Sequence, residues 1–188
     1  MNEVLRQEKK YAINLSDGAV LRKRLGAVMH GDTHNGPQGY TIRSLYFDTP
    51  DDQDFHDKLD GLELRRKLRL RTYSPRSDFA MLEMKQKEGP YQRKRSLRLG
   101  REEAQRLCLG DYRPLLAHDD PFAAECYGLM HCRCYQPRAV VEYHRQAYVA
   151  RENHIRITLD SRITGTESSF SLFSGQLPMY PVLDPFHM

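Results

Sequence analysis

Ten residues limit this chain more than any others. Leu64-Arg-Arg-Lys-Leu-Arg-Leu-Arg-Thr-Tyr73 alternates so that Arg65, Lys67, Arg69 and Arg71 share one face of an extended strand. Leu64, Leu68 and Leu70 lie on the other face, with Arg66 the exception. Five cations fall between Arg65 and Arg71. A solvated face mixes signs more evenly, because like charges on neighbouring positions repel. Arg outnumbers Lys here, and the guanidinium is the better fork for phosphate oxygens. An ordinary half-exposed antiparallel sheet also alternates in this way, with its charges facing water.

The pattern recurs along the chain. Arg6 to Ile13 reads as a strand with Arg6, Glu8, Lys10 and Ala12 on one face. Ser16 then reads as an N-cap, with Leu21, Leu25, Val28 and Met29 following at helical spacing. Tyr40 to Asp48 is a β-branched and aromatic strand, and a short helix up to Lys58 ends at Gly61. Phe79 to Lys87 places Met81, Glu83, Lys85 and Lys87 together, and Gln92 to Leu99 places Lys94 with Gln92 and Ser96. Two helices follow, about Arg101 to Leu109 and a second one capped at Asp119/Asp120 with Pro121 at its first position. Phe122, Cys126, Leu129 and Met130 form its buried stripe. Ala139, Val141, Tyr143 and Arg145 then alternate with Val140, Glu142 and His144, and Ile155, Ile157 and Leu159 with Arg156, Thr158 and Asp160. The signal is weak beyond Thr164.

If these strands close into a barrel, their cations converge on one cavity, and that cavity needs a polyanion to offset its self-repulsion. Carboxylates at Glu8, Glu83, Glu142 and Asp160 would hold a divalent metal or pair with the cations. The expected fold is α+β, a mostly antiparallel closed β-barrel with flanking helices, in a single domain over residues 1–188. The net charge of +4 is modest, so anion binding depends on where the cations sit. Eleven Tyr and seven Phe exclude a disordered chain. No apolar run reaches a transmembrane length of roughly 18 residues, and no apolar h-region follows Leu5. Cys108, Cys126, Cys132 and Cys134 do not form a disulfide framework, and the expectation is a reduced, cytoplasmic protein.

The motifs, taken in order, resemble the VTC domain, the polyphosphate polymerase branch of the CYTH or triphosphate tunnel superfamily. The segments are Arg6-Gln-Glu-Lys-Lys-Tyr-Ala-Ile13, Ser44-Leu-Tyr-Phe-Asp-Thr49, Gly61 with Arg66-Lys67-Leu-Arg-Leu-Arg-Thr-Tyr73, Leu82-Glu-Met-Lys85, Arg93-Lys-Arg95, Val141-Glu-Tyr-His-Arg145 and Arg156-Ile-Thr-Leu-Asp160. The resemblance implies a triphosphate tunnel that transfers the γ-phosphoryl of ATP to a polyphosphate chain with Mn²⁺ or Mg²⁺. Arg69, Arg71, Lys85, Arg145 and Arg156 would act in catalysis. Lys10, Lys67, Lys94 and Tyr143 would bind ATP and polyphosphate or tripolyphosphate, and Glu8, Glu83 and Asp160 would hold the metal. Eukaryotic relatives work in membrane complexes, so a membrane-associated partner belongs to the expectation, although this chain carries no membrane segment of its own.

Two departures bear on that expectation. The superfamily's first motif is often Glu-x-Glu-x-Lys, whereas here it is Arg6-x-Glu8-x-Lys10, which argues against the hydrolase branches. The family also continues with a strand bearing a Glu and a Lys, and then a helix. This sequence ends at Met188, about where that strand would begin, so a truncated barrel missing its last strand is expected. A tunnel triphosphatase acting on tripolyphosphate or a nucleoside triphosphate and a non-catalytic polyanion-binding module are the competing readings. Nucleic acid is not expected as a partner, because no RNA-binding aromatic signature accompanies the basic stretch. His131-Cys132-Arg133-Cys134 is half of a metal site without a second pair, and reads as ordinary thiols.

Overall fold

The computed structural model describes residues 4–5, 8–36, 38–89, 91–150, 152 and 155–183. Its strands are β1 (Val4–Leu5), β2 (His30–Gly31), β3 (Tyr40–Asp48), β4 (Arg65–Thr72), β5 (Phe79–Glu88), β6 (Tyr91–Gly100), β7 (Gln136–Val149), β8 (Arg156–Thr166) and β9 (Tyr180–Pro181). The helices are α1 (Leu15–Val28), α2 (Gln53–Leu59), α3 (Arg101–Cys108) and α4 (Pro121–Cys132), with a 3-10 turn at Arg113–Ala117 between the last two. All strands join one antiparallel sheet in the order β1-β6-β5-β4-β3-β7-β8-β9, with β2 also paired to β7. The fold is therefore α+β and mostly antiparallel, as the strand pattern predicts.

The expected closure is corrected. β1 and β9 end the sheet, and no ladder joins them among the described residues. The sheet is an open, curled surface. Register shifts at Tyr46/Phe47 against β7, and at Glu142/His144 against β8, supply curvature, since a bulge raises the local twist and bends the strand.

The two faces differ in what covers them. Leu45, Phe47, Leu68, Leu70, Leu82 and Met84 point to the face packed under α3, the 3-10 turn and α4. Leu107, Leu115, Phe122 and Met130 meet them there and are fully buried or nearly so. Apolar alternation on β4 and β5 thus decides which face receives helices. Arg95 belongs to this side, where its Nη2 donates to Glu125 Oε1 at 2.6 Å and its guanidinium lies 5.0 Å over the Phe122 ring. A smaller cluster, Leu25 with Leu159 and the partly buried Ile13, Met29 and Tyr148, seats α1 on β7 and β8.

Local details depart from the sequence reading. Of the expected strand at 6–13, Arg6 and Gln7 lie outside the described residues, and residues 8–13 form no ladder. α1 is capped by Asn14, whose Oδ1 accepts from Asp17 N at 2.7 Å and from Ser16 Oγ at 2.6 Å, so Ser16 lies inside the first turn. Val28 of the expected stripe is exposed. Past Thr166, where the pattern gives little, Leu172 and Phe173 are buried in the main core. Arg43 reaches the same segment, with Nη1 donating to the Leu172 carbonyl at 3.1 Å. The Asp48-Thr49 pair is structural. Asp48 Oδ1 accepts from Asp54 N and Oδ2 from Phe55 N, each at 2.9 Å, which satisfies free donors at the start of α2. No helix among the described residues is long and apolar enough to cross a membrane.

Candidate functional site

On the face without helices, the odd positions of β4, β5, β7 and the even positions of β6 and β8 bring the basic residues together. Register aligns Arg69 with Glu83, Glu83 with Ser96, Lys67 with Lys85, and Lys85 with Lys94. Glu83 sits at the centre. Arg69 Nε donates to its Oε2 at 2.8 Å, Arg71 Nη1 stands 3.7 Å from the same oxygen, and Lys94 Nζ pairs with Oε1. Although no helix covers this face, Arg69 is 9% exposed, Arg71 7% and Glu83 2%. Their ion pairs with one another and contacts to Ser44, Tyr46 and Tyr143 enclose them.

Glu83 and the lysines around it have displaced titrations. Burial works to raise the Glu83 carboxyl, but Arg69, Arg71 and Lys94 outweigh it and hold it at about 2. Burial pushes the Lys67, Lys85 and Lys94 ammonium groups down. Lys58 adds to this at Lys67, and Arg69 at Lys85, whereas Glu83 only partly restores Lys94. Such lysines lack enough negative charge around them to offset their desolvation.

The second group lies on β7 and β8. Arg145 holds Asp160 through two bonds, Nε to Oδ1 and Nη2 to Oδ2, each 2.6 Å. The Arg145 guanidinium lies 5.1 Å over the Tyr143 ring, and the Tyr143 hydroxyl accepts from Arg71 Nη2 at 3.3 Å. Tyr143 therefore joins the two groups. Arg156 is set apart. Its Nη2 is 2.8 Å from Asp32 Oδ2 and donates to the Tyr40 hydroxyl at 3.0 Å. Glu8 stands 3.4 Å from Lys85 Nζ and 3.9 Å from Lys10 Nζ. Burial works to raise the Glu8 carboxyl, but Lys85, Lys10 and, more weakly, Arg145 bring it down. One carboxylate thus feels β5 and β7 together, so both parts of the sheet face a common space.

The expected basic residues other than Arg156 converge, and the expected metal ligands do not. Glu83 is enclosed by three cations, Asp160 has both oxygens on Arg145, and Glu8 pairs with two lysines. No group of three or more His, Cys, Asp or Glu able to hold a metal ion occurs among the described residues. This donor set does not fit a resident metal ion. Glu142 is on the helix-covered face, where it accepts from Arg43 Nε at 2.7 Å. Cys108 and Cys126 are buried and Cys132 and Cys134 exposed, all as free thiols.

Sequence reading alone missed Ser44, Tyr46, Tyr40 and Asp32. Arg69 Nη1 donates to the Tyr46 hydroxyl at 3.1 Å, and Arg71 Nε to Ser44 Oγ at 3.4 Å. The parity of β3 held that signal, since Tyr40, Ile42, Ser44 and Tyr46 share a face, but Ile42 disguises it as apolar. Asp32 is on a loop and gives no periodic signal.

Eight cations (Lys10, Lys67, Arg69, Arg71, Lys85, Lys94, Arg145 and Arg156) meet four carboxylates (Glu8, Glu83, Asp160 and Asp32) on this face. Arg65, Lys87 and Arg98 share the same strand parity, so the face carries a clear excess of positive charge, which suits polyvalent anions.

Comparison with known proteins agrees with this geometry. The family model of the VTC domain matches residues 5–184. Among solved structures, a putative adenylate cyclase from Bacillus halodurans shares the fold at a TM-score of 0.52 and 16% identity, over 89% of this chain and 73% of that one. No curated protein matches the sequence.

Proposed function

This chain belongs to the VTC domain family, in the CYTH or triphosphate tunnel superfamily, and from that premise we propose that its basic face passes the γ-phosphoryl of ATP to a polyphosphate chain. The observation that carries this reading is the convergence of Arg69, Arg71 and Lys94 on one buried carboxylate, with Arg145 beside them through Tyr143. A terminal oxygen of the acceptor chain attacks the γ-phosphorus, the bond to the β-phosphate oxygen breaks, and ADP leaves with that electron pair. Charge on the transferring oxygens is what a protein must stabilise in such a step, and fixed guanidinium groups do so without reorganising. Arg69 and Arg71 would clamp the transferring group, and Lys85, Lys94, Lys67 and Lys10 would hold the chain along the face. Mn²⁺ or Mg²⁺ enters in this reading with the phosphates of ATP as part of the substrate, a habit of Mg²⁺ in phosphate sites.

The paired carboxylates favour one second reading, a polyphosphate-binding module without turnover. Incubation of the chain with ATP and Mn²⁺, followed by a polyphosphate gel, separates the two. Long products support the transferase. Tripolyphosphate binding without turnover supports the module, and release of free phosphate alone points to a triphosphatase. Arg69→Ala and Arg156→Ala are each expected to lower tripolyphosphate affinity about ten-fold or more. Unchanged affinity in both variants would overturn the phosphate-binding face itself.

A further inference from the structure

A groove of about 430 Å³ opens at the end of the basic face, lined by Asp32, His34, Tyr40, Tyr73, Val149 and Arg156. Its size falls within the range of small-molecule sites. Two tyrosines give it an aromatic wall, with ring centroids 6.1 Å apart and planes tilted by 54°. Tyr73 is 42% exposed and takes no part in either apolar cluster, so packing does not explain it. Tyr40 pairs in register with Arg145, which makes the groove continuous with the cation cluster. Arg156 stands at the junction, turned to Tyr40 and Asp32 rather than to Glu83.

We propose that this groove seats the nucleobase of a nucleoside triphosphate, with the phosphates running from Arg156 past Arg145 to Arg69, Arg71 and Lys94. The assignment rests on the phosphate-binding reading above and extends it to the nucleoside end of the donor. Recognition is by stacking, because Asp32 is already engaged. Its Oδ1 accepts from His34 N at 2.9 Å and lies 2.8 Å from His34 Nδ1, while Oδ2 holds Arg156. A carboxylate in use on both oxygens is a poor reader of a base edge, whereas every base offers a π-face to tyrosine. The groove therefore distinguishes a nucleotide from a bare phosphate chain, and discriminates little among bases.

Titrating the full chain with ATP, GTP and tripolyphosphate, as wild type, Tyr73→Phe and Tyr73→Ala, tests this. Wild type is expected to bind ATP and GTP within about three-fold of each other, and Tyr73→Phe to match it. Tyr73→Ala is expected to lose about ten-fold in affinity for both nucleotides and nothing for tripolyphosphate, which also verifies that the variant is folded. Undiminished nucleotide affinity in Tyr73→Ala, or an equal loss for tripolyphosphate, overturns the base site and leaves the phosphate-binding reading standing. A wild-type chain that takes neither nucleotides nor tripolyphosphate overturns that reading and the base site with it.

Discussion

Glu83 occupies the place where a phosphate chain is expected to put its charge. It is nearly inaccessible and neutralises part of three cations, which hold its carboxyl at about 2 against the effect of burial. Removing the charge in Glu83→Gln leaves Arg69, Arg71 and Lys94 facing one another without an anion. Breaking a buried pair in this way costs roughly 3 kcal/mol, so the unliganded variant is expected to melt at lower temperature. Tripolyphosphate then replaces the lost charge, and the rise in Tm it causes is expected to be larger in the variant than in wild type. The pH dependence has a definite sign. A depressed folded-state pKa stabilises above the ordinary 4.5, and that contribution disappears as pH falls toward about 2. The difference in Tm between wild type and Glu83→Gln is therefore largest near neutrality and shrinks in acid. Thermal melts across that range, with and without tripolyphosphate, measure both effects. Equal ligand-induced shifts in the two proteins would mean that Glu83 does not stand in for the ligand.

Among elements, the β3–β7 ladder sets where the two groups of cations meet. Gly39 immediately precedes it with φ at +101°, and a Cβ there would fall on the carbonyl oxygen of Arg145. Gly39→Ala combines a left-handed backbone with a backbone collision, so a loss of about 2 kcal/mol or more is expected in chemical denaturation. Affinity for tripolyphosphate should fall as well, because the strand that carries Arg145 must shift. An unchanged denaturation midpoint would show that the ladder tolerates the displacement. β3 to β8 are legible in the sequence because a period of two is local, and it marks Arg69, Arg71, Lys85 and Lys94 as partners on one face before any contact is known. Residues 8–13 carry the same alternation without forming a ladder, since a strand needs a neighbour and no local pattern supplies one. Glu142 is the opposite case, because the alternation in the sequence already sets it across from Tyr143 and Arg145. Its residue type suggested a place among the cations, yet β-strand parity turns it toward Arg43 on the helix side. Asp32 and Tyr40 both meet Arg156, a contact that bridges more than a hundred residues of chain.

At the scale of the whole molecule, no ladder joins β1 to β9 among the described residues, and the charge of the sheet is unbalanced on the inner side. β4, β5 and β6 carry one group of cations and β7 and β8 another, with β3 as the shared strand. Helices α3 and α4 brace the first group from outside through the main apolar cluster, which β7 reaches through Val140, whereas α1 seats on the second group through the smaller cluster of Leu25 and Leu159. Repulsion across the inner face works to open the curl, and a multivalent anion bound to both groups works to draw it together. Tripolyphosphate is therefore expected to slow amide hydrogen exchange in β5–β6 and in β7–β8 together, and most in β7–β8, where the supporting core is smaller. High salt should weaken this protection, because the driving force is Coulombic and partly open to solvent. Hydrogen exchange read by mass spectrometry at low and high ionic strength follows both strand groups in one experiment. Protection confined to β4–β6 would mean that the ligand is held by the Glu83 cluster alone, and that Arg145 and Arg156 do not share in the phosphate site.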